Sequence, residues 1–265
     1  MDMKLRQRFD SLSHVRVVGT LVATSIVLIA IWVIALERVR NERDGAIAAE
    51  VQRNSNLAHS HQERAARSFE VLDQVLLSLR AEYLTYGPPK SMKERVRSVQ
   101  VNEKFLGIVA LIGPDGQLLS TTVDGLLPNS ADRDYFKAHA ADPTDALVIS
   151  KPIIGRATGK WVVALTRRIT LADGTFGGVV LLSLDPAYFA TDYAKTKQGQ
   201  RGSMALIGLD GITRARRNGD TISFGQDVSE SQLFKELPKS ASSYYIGVAA
   251  SDGHRRIVAY HSLEG

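Results

Sequence analysis

Few side chains in this sequence have the types and spacing that catalysis or metal binding requires. His59 and His61 lie two residues apart in a segment predicted to be helical, so their rings point about 200° apart and cannot share an ion. Cysteine is absent, which removes thiolate metal sites and any disulfide framework. Neither an HExxH nor a GxSxG pattern occurs, and no acidic pair has a catalytic context. Gly155 to Lys160 has the glycine and lysine of a phosphate loop, but it lacks the spacing and a Ser or Thr after Lys160, so a hairpin bend is expected there. Arg214, Arg216 and Arg217 form the densest basic cluster after the N-terminal region and are expected on a solvated strand face. A nucleic-acid partner would need a concentrated basic face with interleaved aromatics, so none is expected. The chain is accordingly expected to be no enzyme and to use no metal or cofactor. Arg167 and Arg168 are neighbours on one predicted strand and must face opposite sides of it.

The elements that would position such groups begin with an apolar run. Val17 to Leu36 carries no charge, and at about 1.5 Å per residue it crosses a roughly 30 Å hydrocarbon core. The run is too long for a signal-peptide core, and Ile34 to Arg38 is a poor cleavage site, so an uncleaved anchor is expected. Lys4, Arg6, Arg8 and Arg16 precede it and favour a cytoplasmic N-terminus, while Trp32 suits the far interface. From Glu37 to Tyr83 there is no proline and a single glycine, Gly45, a composition that favours helix. Ala65, Phe69, Leu72, Leu76, Leu79 and Tyr83 make one apolar stripe, suited to packing on a following domain or to pairing with a second copy. Gly87-Pro88-Pro89 stops the helix, and a second is expected over Ser91 to Gln100.

Strand signals follow, and one is repeated. Ala110-Leu-Ile-Gly-Pro-Asp-Gly116 and Ala205-Leu-Ile-Gly-Leu-Asp-Gly211 differ at one position, and each describes a buried strand running into an Asp-Gly turn. Around the first copy, strands are expected over Phe105–Ile112, Gln117–Thr122, Leu147–Ile154, Trp161–Thr170 and Gly177–Asp185, with helices over Asp132–Ala140 and Pro186–Tyr193. Around the second, strands are expected over Met204–Ile207, Ile212–Arg216, Tyr244–Ala250 and Arg256–His261. Charged residues at 23% and apolar residues at 44% fit such folded units and exclude disorder. The fold class is therefore α+β: a transmembrane helix and long helix, then two antiparallel-sheet modules with helices on one face, the second a strand short.

Several segments together resemble the double Cache (PDC) sensor domain found in front of bacterial diguanylate cyclases, cyclic-di-GMP phosphodiesterases and histidine kinases. They are Arg133-Asp-Tyr-Phe136, Ile149-Ser-Lys-Pro-Ile-Ile-Gly155, Thr166-Arg-Arg-Ile169, Asp173-Gly-Thr-Phe-Gly-Gly-Val-Val180 and Ser183-Leu-Asp-Pro186. The resemblance runs from about Glu37 to the C-terminus. It implies tandem PAS-like modules in the periplasm, anchored in the inner membrane, with a small-molecule ligand in the membrane-distal module and a homodimer as the assembly. The implied layout is 1–16 cytoplasmic, 17–36 transmembrane, 37–100 long helix and connector, 101–192 distal module and 193–265 proximal module. A further strand and a second span are expected beyond Gly265.

In amino-acid-binding members of that family an Arg with aromatics two and three residues later grips the ligand carboxylate, and a later Asp holds the ammonium. Arg133, Tyr135, Phe136 and Asp185 match those positions, and Trp161 and Arg167 join them as candidate pocket residues. A guanidinium offers a carboxylate a bidentate fork, and aromatic walls exclude water. Two departures bear on the ligand: Pro128 stands where the family has a tyrosine, and Tyr135 where it has a tryptophan. Each candidate also has a plain structural role. Arg133 could pair with Asp132 or Asp134, Asp185 could cap the helix after it, and Trp161 could pack on the helical layer. Lys151 and His139 are weaker candidates, expected in solvent. No cyclase, phosphodiesterase or kinase motif occurs, so any output lies elsewhere. The alternative reading is a module that dimerises through the long helix and senses a protein partner.

Overall fold

One helix runs the length of the molecule. The computed structural model describes residues 3–97, 106–125, 128–191, 202–249 and 253–263, with side chains from Thr20 onward. Helix α1 spans Met3–Tyr86 as a single element. Its apolar side chains from Leu21 to Leu36 are all exposed, and it is the one described helix long and apolar enough to cross a membrane. Further along, Leu72, Val75, Leu76 and Leu79 are buried at the three- and four-residue steps of one helix face. The helix stops at Gly87, whose N–H bonds the Tyr83 carbonyl at 2.8 Å, with Pro88 and Pro89 behind it. Helix α2, Met92–Arg97, folds back and buries Met92 and Val96.

The buried stripe of α1 faces a six-stranded antiparallel sheet. In chain order this module contains β1 (Leu106–Ile112), β2 (Leu118–Thr121), α3 (Asp134–Ala141), β3 (Val148–Ile149), β4 (Ile153–Ile154), β5 (Trp161–Thr170), β6 (Phe176–Leu184) and α4 (Ala187–Thr191). The strand order is β2-β1-β6-β5-β3, with β4 also on β5. Alternation along the strands divides the core in two. Val109, Leu111, Val163, Leu165, Ile169, Val180, Leu182 and Leu184 face α1, whereas Ala110, Ile112, Ala164, Val179 and Leu181 face Tyr135 and Phe136 of α3. Helices thus cover both faces, not one as expected. The expected strand over 147–154 is two short pieces, interrupted at Pro152, which has no N–H to give a ladder.

The second module repeats the first corner closely. It contains β7 (Ser203–Ile207), β8 (Thr213–Asn218), β9 (Thr221–Ser223), α5 (Gln232–Glu236), β10 (Ser242–Val248) and β11 (Arg255–His261). At the first turn the Gly113 N–H bonds the Gln117 carbonyl at 2.8 Å, the Gln117 N–H bonds Asp115 Oδ1 at 3.0 Å, and Gly116 has φ +81°. At the second, the Gly208 N–H bonds the Ile212 carbonyl at 3.0 Å, the Ile212 N–H bonds Asp210 Oδ1 at 3.0 Å, and Gly211 has φ +79°. Each glycine carbonyl then accepts one bond at 2.9 Å from the returning chain, from Ser130 or Val228. In the first module β6 joins β1 to β5; among the described residues the second module has no counterpart, and β7–β8–β9 and β10–β11 remain separate sheets. Helix α1 runs beneath both modules, with His59 against His261 at 5.3 Å. The cluster expected on a solvated face is partly internal, since Arg214 and Arg216 are buried and Arg214 is held bidentately by Asp210 at 2.8 and 3.0 Å.

Candidate ligand cavity of the first module

A cavity of about 70 Å³ opens between the α3 face of the first sheet, the start of α3 and the turn at 155–160. Its floor is apolar: Ile108, Ala110 and Ile112 from β1, Val162 and Ala164 from β5, and Leu181 from β6. Its rim is polar, with Ser130, Arg133, Tyr135, Arg156 and Thr158. An apolar pocket with a few convergent polar groups is the usual form of a small-molecule site.

Arg133 sits immediately before α3 in extended conformation, φ −70° and ψ 140°, and its side chain makes no capping bond. Its guanidinium donates once, to the Ile154 carbonyl at 3.0 Å. It has no carboxylate partner among the described residues; the expected pairing with Asp132 or Asp134 does not form, because Asp132 belongs to Arg156. Arg156 Nη1 reaches Asp132 Oδ1 at 2.8 Å, its Nη2 reaches Oδ2, and Nη1 also meets the Asn129 carbonyl. That grip holds the Asp132 carboxyl down at about 2. It also ties the 155–160 turn to the start of α3. The turn is the hairpin bend expected from its sequence, with the Gly155 N–H on the Lys160 carbonyl at 2.8 Å. Burial pushes the Tyr135 hydroxyl up, so it stays protonated and able to donate at neutral pH.

The fold has counterparts among solved structures. The extracellular domain of rpHK1S-Z16, assigned to the histidine kinases, is 32% identical over 82% of this chain and 90% of its own length, with a TM-score of 0.76. The chain belongs to the double Cache sensor-domain family. The ligand-binding domain of the Pseudomonas fluorescens chemoreceptor CtaA, solved with L-serine, shares the fold at 15% identity and a TM-score of 0.58, over 79% of this chain and 88% of that one. An extracellular ligand-binding receptor from Desulfohalobium retbaense shares it at 12% identity and a TM-score of 0.58, over 80% of this chain and 38% of that one. No protein-family model and no curated protein sequence matches the chain.

Within this double Cache domain, the six candidate residues divide. Arg133 and Tyr135 line the cavity. Phe136 lies beneath, edge-on to Phe176 at 5.3 Å, as part of the core under α3. Trp161 is absent from the lining and lies against Phe224 of the second module at 5.5 Å, the two rings tilted by 59°. Arg167 faces α1, where Asp73 holds its Nε and Nη2 at 2.7 Å each. Asp185 caps α4, accepting from the Ala187 N–H at 2.8 Å. Sequence reasoning missed Arg156 and Ser130; Arg156 was hidden in a turn that local pattern marks only as a bend. Among the described residues no three His, Asp or Glu side chains converge on a metal position.

His139, expected in solvent, is buried on α3 with its Nε2 3.0 Å from Thr166 Oγ1. Arg168, also on this face, donates to the His139 carbonyl and lies over the Phe176 ring at 4.8 Å. Burial lowers the pKa of His139 from 6.5, and the Arg168 charge acts in the same sense. The neutral ring is therefore the folded form. Its contribution is complete above 6.5 and is lost as pH falls from there through the lower folded value, at up to about 1.4 kcal/mol per pH unit. Melting temperatures between pH 7.5 and 5 should fall more steeply for the wild type than for His139→Gln; parallel curves would show that His139 does not titrate on unfolding.

Proposed function

We propose that this chain is the extracytoplasmic sensing region of a bacterial receptor, periplasmic and anchored in the inner membrane by Val17 to Leu36. The first-module cavity is its small-solute site, and the long helix carries occupancy to a cytoplasmic output domain such as a histidine kinase, diguanylate cyclase or phosphodiesterase. The observation that carries this reading is Arg133: a guanidinium with one carbonyl contact, at the mouth of an apolar cavity, has open donors for an anion. The extracellular kinase domain at 32% identity supports the receptor context, and CtaA is a relative in fold that was solved with a small ligand.

A ligand shifts a receptor equilibrium only through its differential affinity for two states. The long helix has a place for that difference, since Arg80 of α1 and Arg167 of β5 both bond Asp145, on the loop that leaves α3. The proposal is tested by thermal melting of the full chain in lipid nanodiscs against small carboxylates, amino acids and amines. Stabilisation by at least one of them is expected, with Arg133→Ala weakening it on the order of 10- to 100-fold, the worth of a charged hydrogen-bond pair. Indifference to every solute, or equal responses from the variant, would overturn the site.

A further inference from the structure

We infer that the cavity takes a short aliphatic monocarboxylate that carries no ammonium group, of the size of propionate or butyrate. The inference rests on the sensor reading above and narrows it to one ligand class. Three properties of the cavity point the same way.

The first is charge. The cations at the rim are Arg133 and Arg156, and no carboxylate stands among the lining residues. Asp132, which adjoins Arg133 in sequence, has both oxygens committed to Arg156. Asp185, at the end of β6, is turned to the Ala187 N–H. An ammonium placed here would meet the unanswered charge of Arg133, with Arg156 already paired to Asp132 and no free carboxylate in the lining, whereas a carboxylate would meet the open fork of Arg133 beside the hydrogen-bonded hydroxyls of Tyr135 and Ser130.

The second is polarity of the floor. Ile108, Ala110, Ile112 and Leu181 offer no hydrogen bonds to a tail. Ser183, the one polar floor group, is already engaged: its hydroxyl accepts from the Ile108 N–H at 2.7 Å and lies 3.3 Å from the Ile108 carbonyl. A hydroxylated or amidated tail would lose its water partners without replacement.

The third is size. A volume near 70 Å³, against the roughly 10–15 Å³ that one water needs, has room for a solute of a few non-hydrogen atoms. A carboxylate followed by two or three carbons can be housed there.

The test uses the full chain in nanodiscs, titrated calorimetrically with propionate, butyrate, L-alanine and propylamine. L-alanine is propionate with an ammonium added at the second carbon, so that pair isolates the charge argument. Propionate and butyrate should bind at least tenfold more tightly than L-alanine, with no heat from propylamine. Arg133→Lys, which keeps the charge and loses the fork, should weaken propionate at least tenfold while moving the melting temperature of the unliganded chain by no more than a few degrees, because its side chain makes one exposed bond, to the Ile154 carbonyl, and no capping bond. Tighter binding of L-alanine or of propylamine would overturn the ligand class and leave the cavity as a sensor site. Heat from none of the four would overturn this inference, and indifference to the wider solute panel as well would remove the sensor reading with it.

Discussion

Asp73→Ala is expected to cost about 3 kcal/mol and to lower the melting temperature by roughly 6–12 °C. Asp73 lies on α1 and Arg167 on the central part of β5, and their side chains are only 15% and 14% exposed. Two parallel bonds of 2.7 Å join them, the geometry in which a guanidinium is most dependent on its partner. Removing the carboxylate leaves a largely buried cation without its principal partner. Asp145 softens the loss, since it also contacts Arg167 Nη1, but at 57% exposed it is screened by solvent. Replacing both partners with leucine should recover much of the stability, because the cost lies in an unanswered charge. The contrasting case is Arg38–Glu42, with side chains 80% and 67% exposed, where Arg38→Ala should move the melt by no more than a degree or two. Equal effects of the two substitutions would show that the Asp73 pair is not buried in solution.

That pair also shows why some of the molecule was legible in the sequence and some was not. The helix stripe, the two Asp-Gly corners and most strands are signals that lie within one window: a 3.6-residue period, a turn chemistry, an alternation. Leu72, Leu76 and Leu79 land in the core because they share one stripe of the helix with Val75, while Val71, off that stripe, stays exposed. β9 was missed since three residues carry no measurable alternation, and α5 since its five residues bury nothing fully. The site was harder. Alternation correctly placed Arg167 and Arg168 on opposite faces, yet neither face belongs to the cavity at that height of the sheet. Asp73 is 94 residues from Arg167 in sequence, so nothing local announces the pair. Asp132 likewise looked like a partner for its neighbour Arg133, whereas folding brings it the more distant Arg156. The open fork of Arg133 is a consequence of that exchange.

Gly178→Ala should be the most damaging single methyl that can be added to the first module, at on the order of 4 kcal/mol, or roughly 8–16 °C in melting temperature. Gly178 lies in β6 with φ +115°, a region that side-chain-bearing residues rarely occupy, and its added Cβ would stand 1.9 Å from the Ile112 carbonyl oxygen. That oxygen is backbone at the end of β1, so relief requires prising β1 from β6 where Ile112 pairs with Val179. Ile112 is floor of the cavity, and the same displacement should weaken ligand response. The neighbouring Gly177 is the control. A Cβ there would meet only side chains, Leu171 Cδ2 at 2.7 Å and Cγ at 2.9 Å and Ile169 Cγ2 at 3.1 Å, and the 38% exposed Leu171 can shift, so Gly177→Ala should cost about 1–2 kcal/mol. The two glycines are adjacent and alike in sequence; what separates them is the φ of Gly178 and the backbone oxygen its Cβ would meet. A melt in which Gly177→Ala proved the worse variant would contradict the β1–β6 approach on which the cavity floor is built.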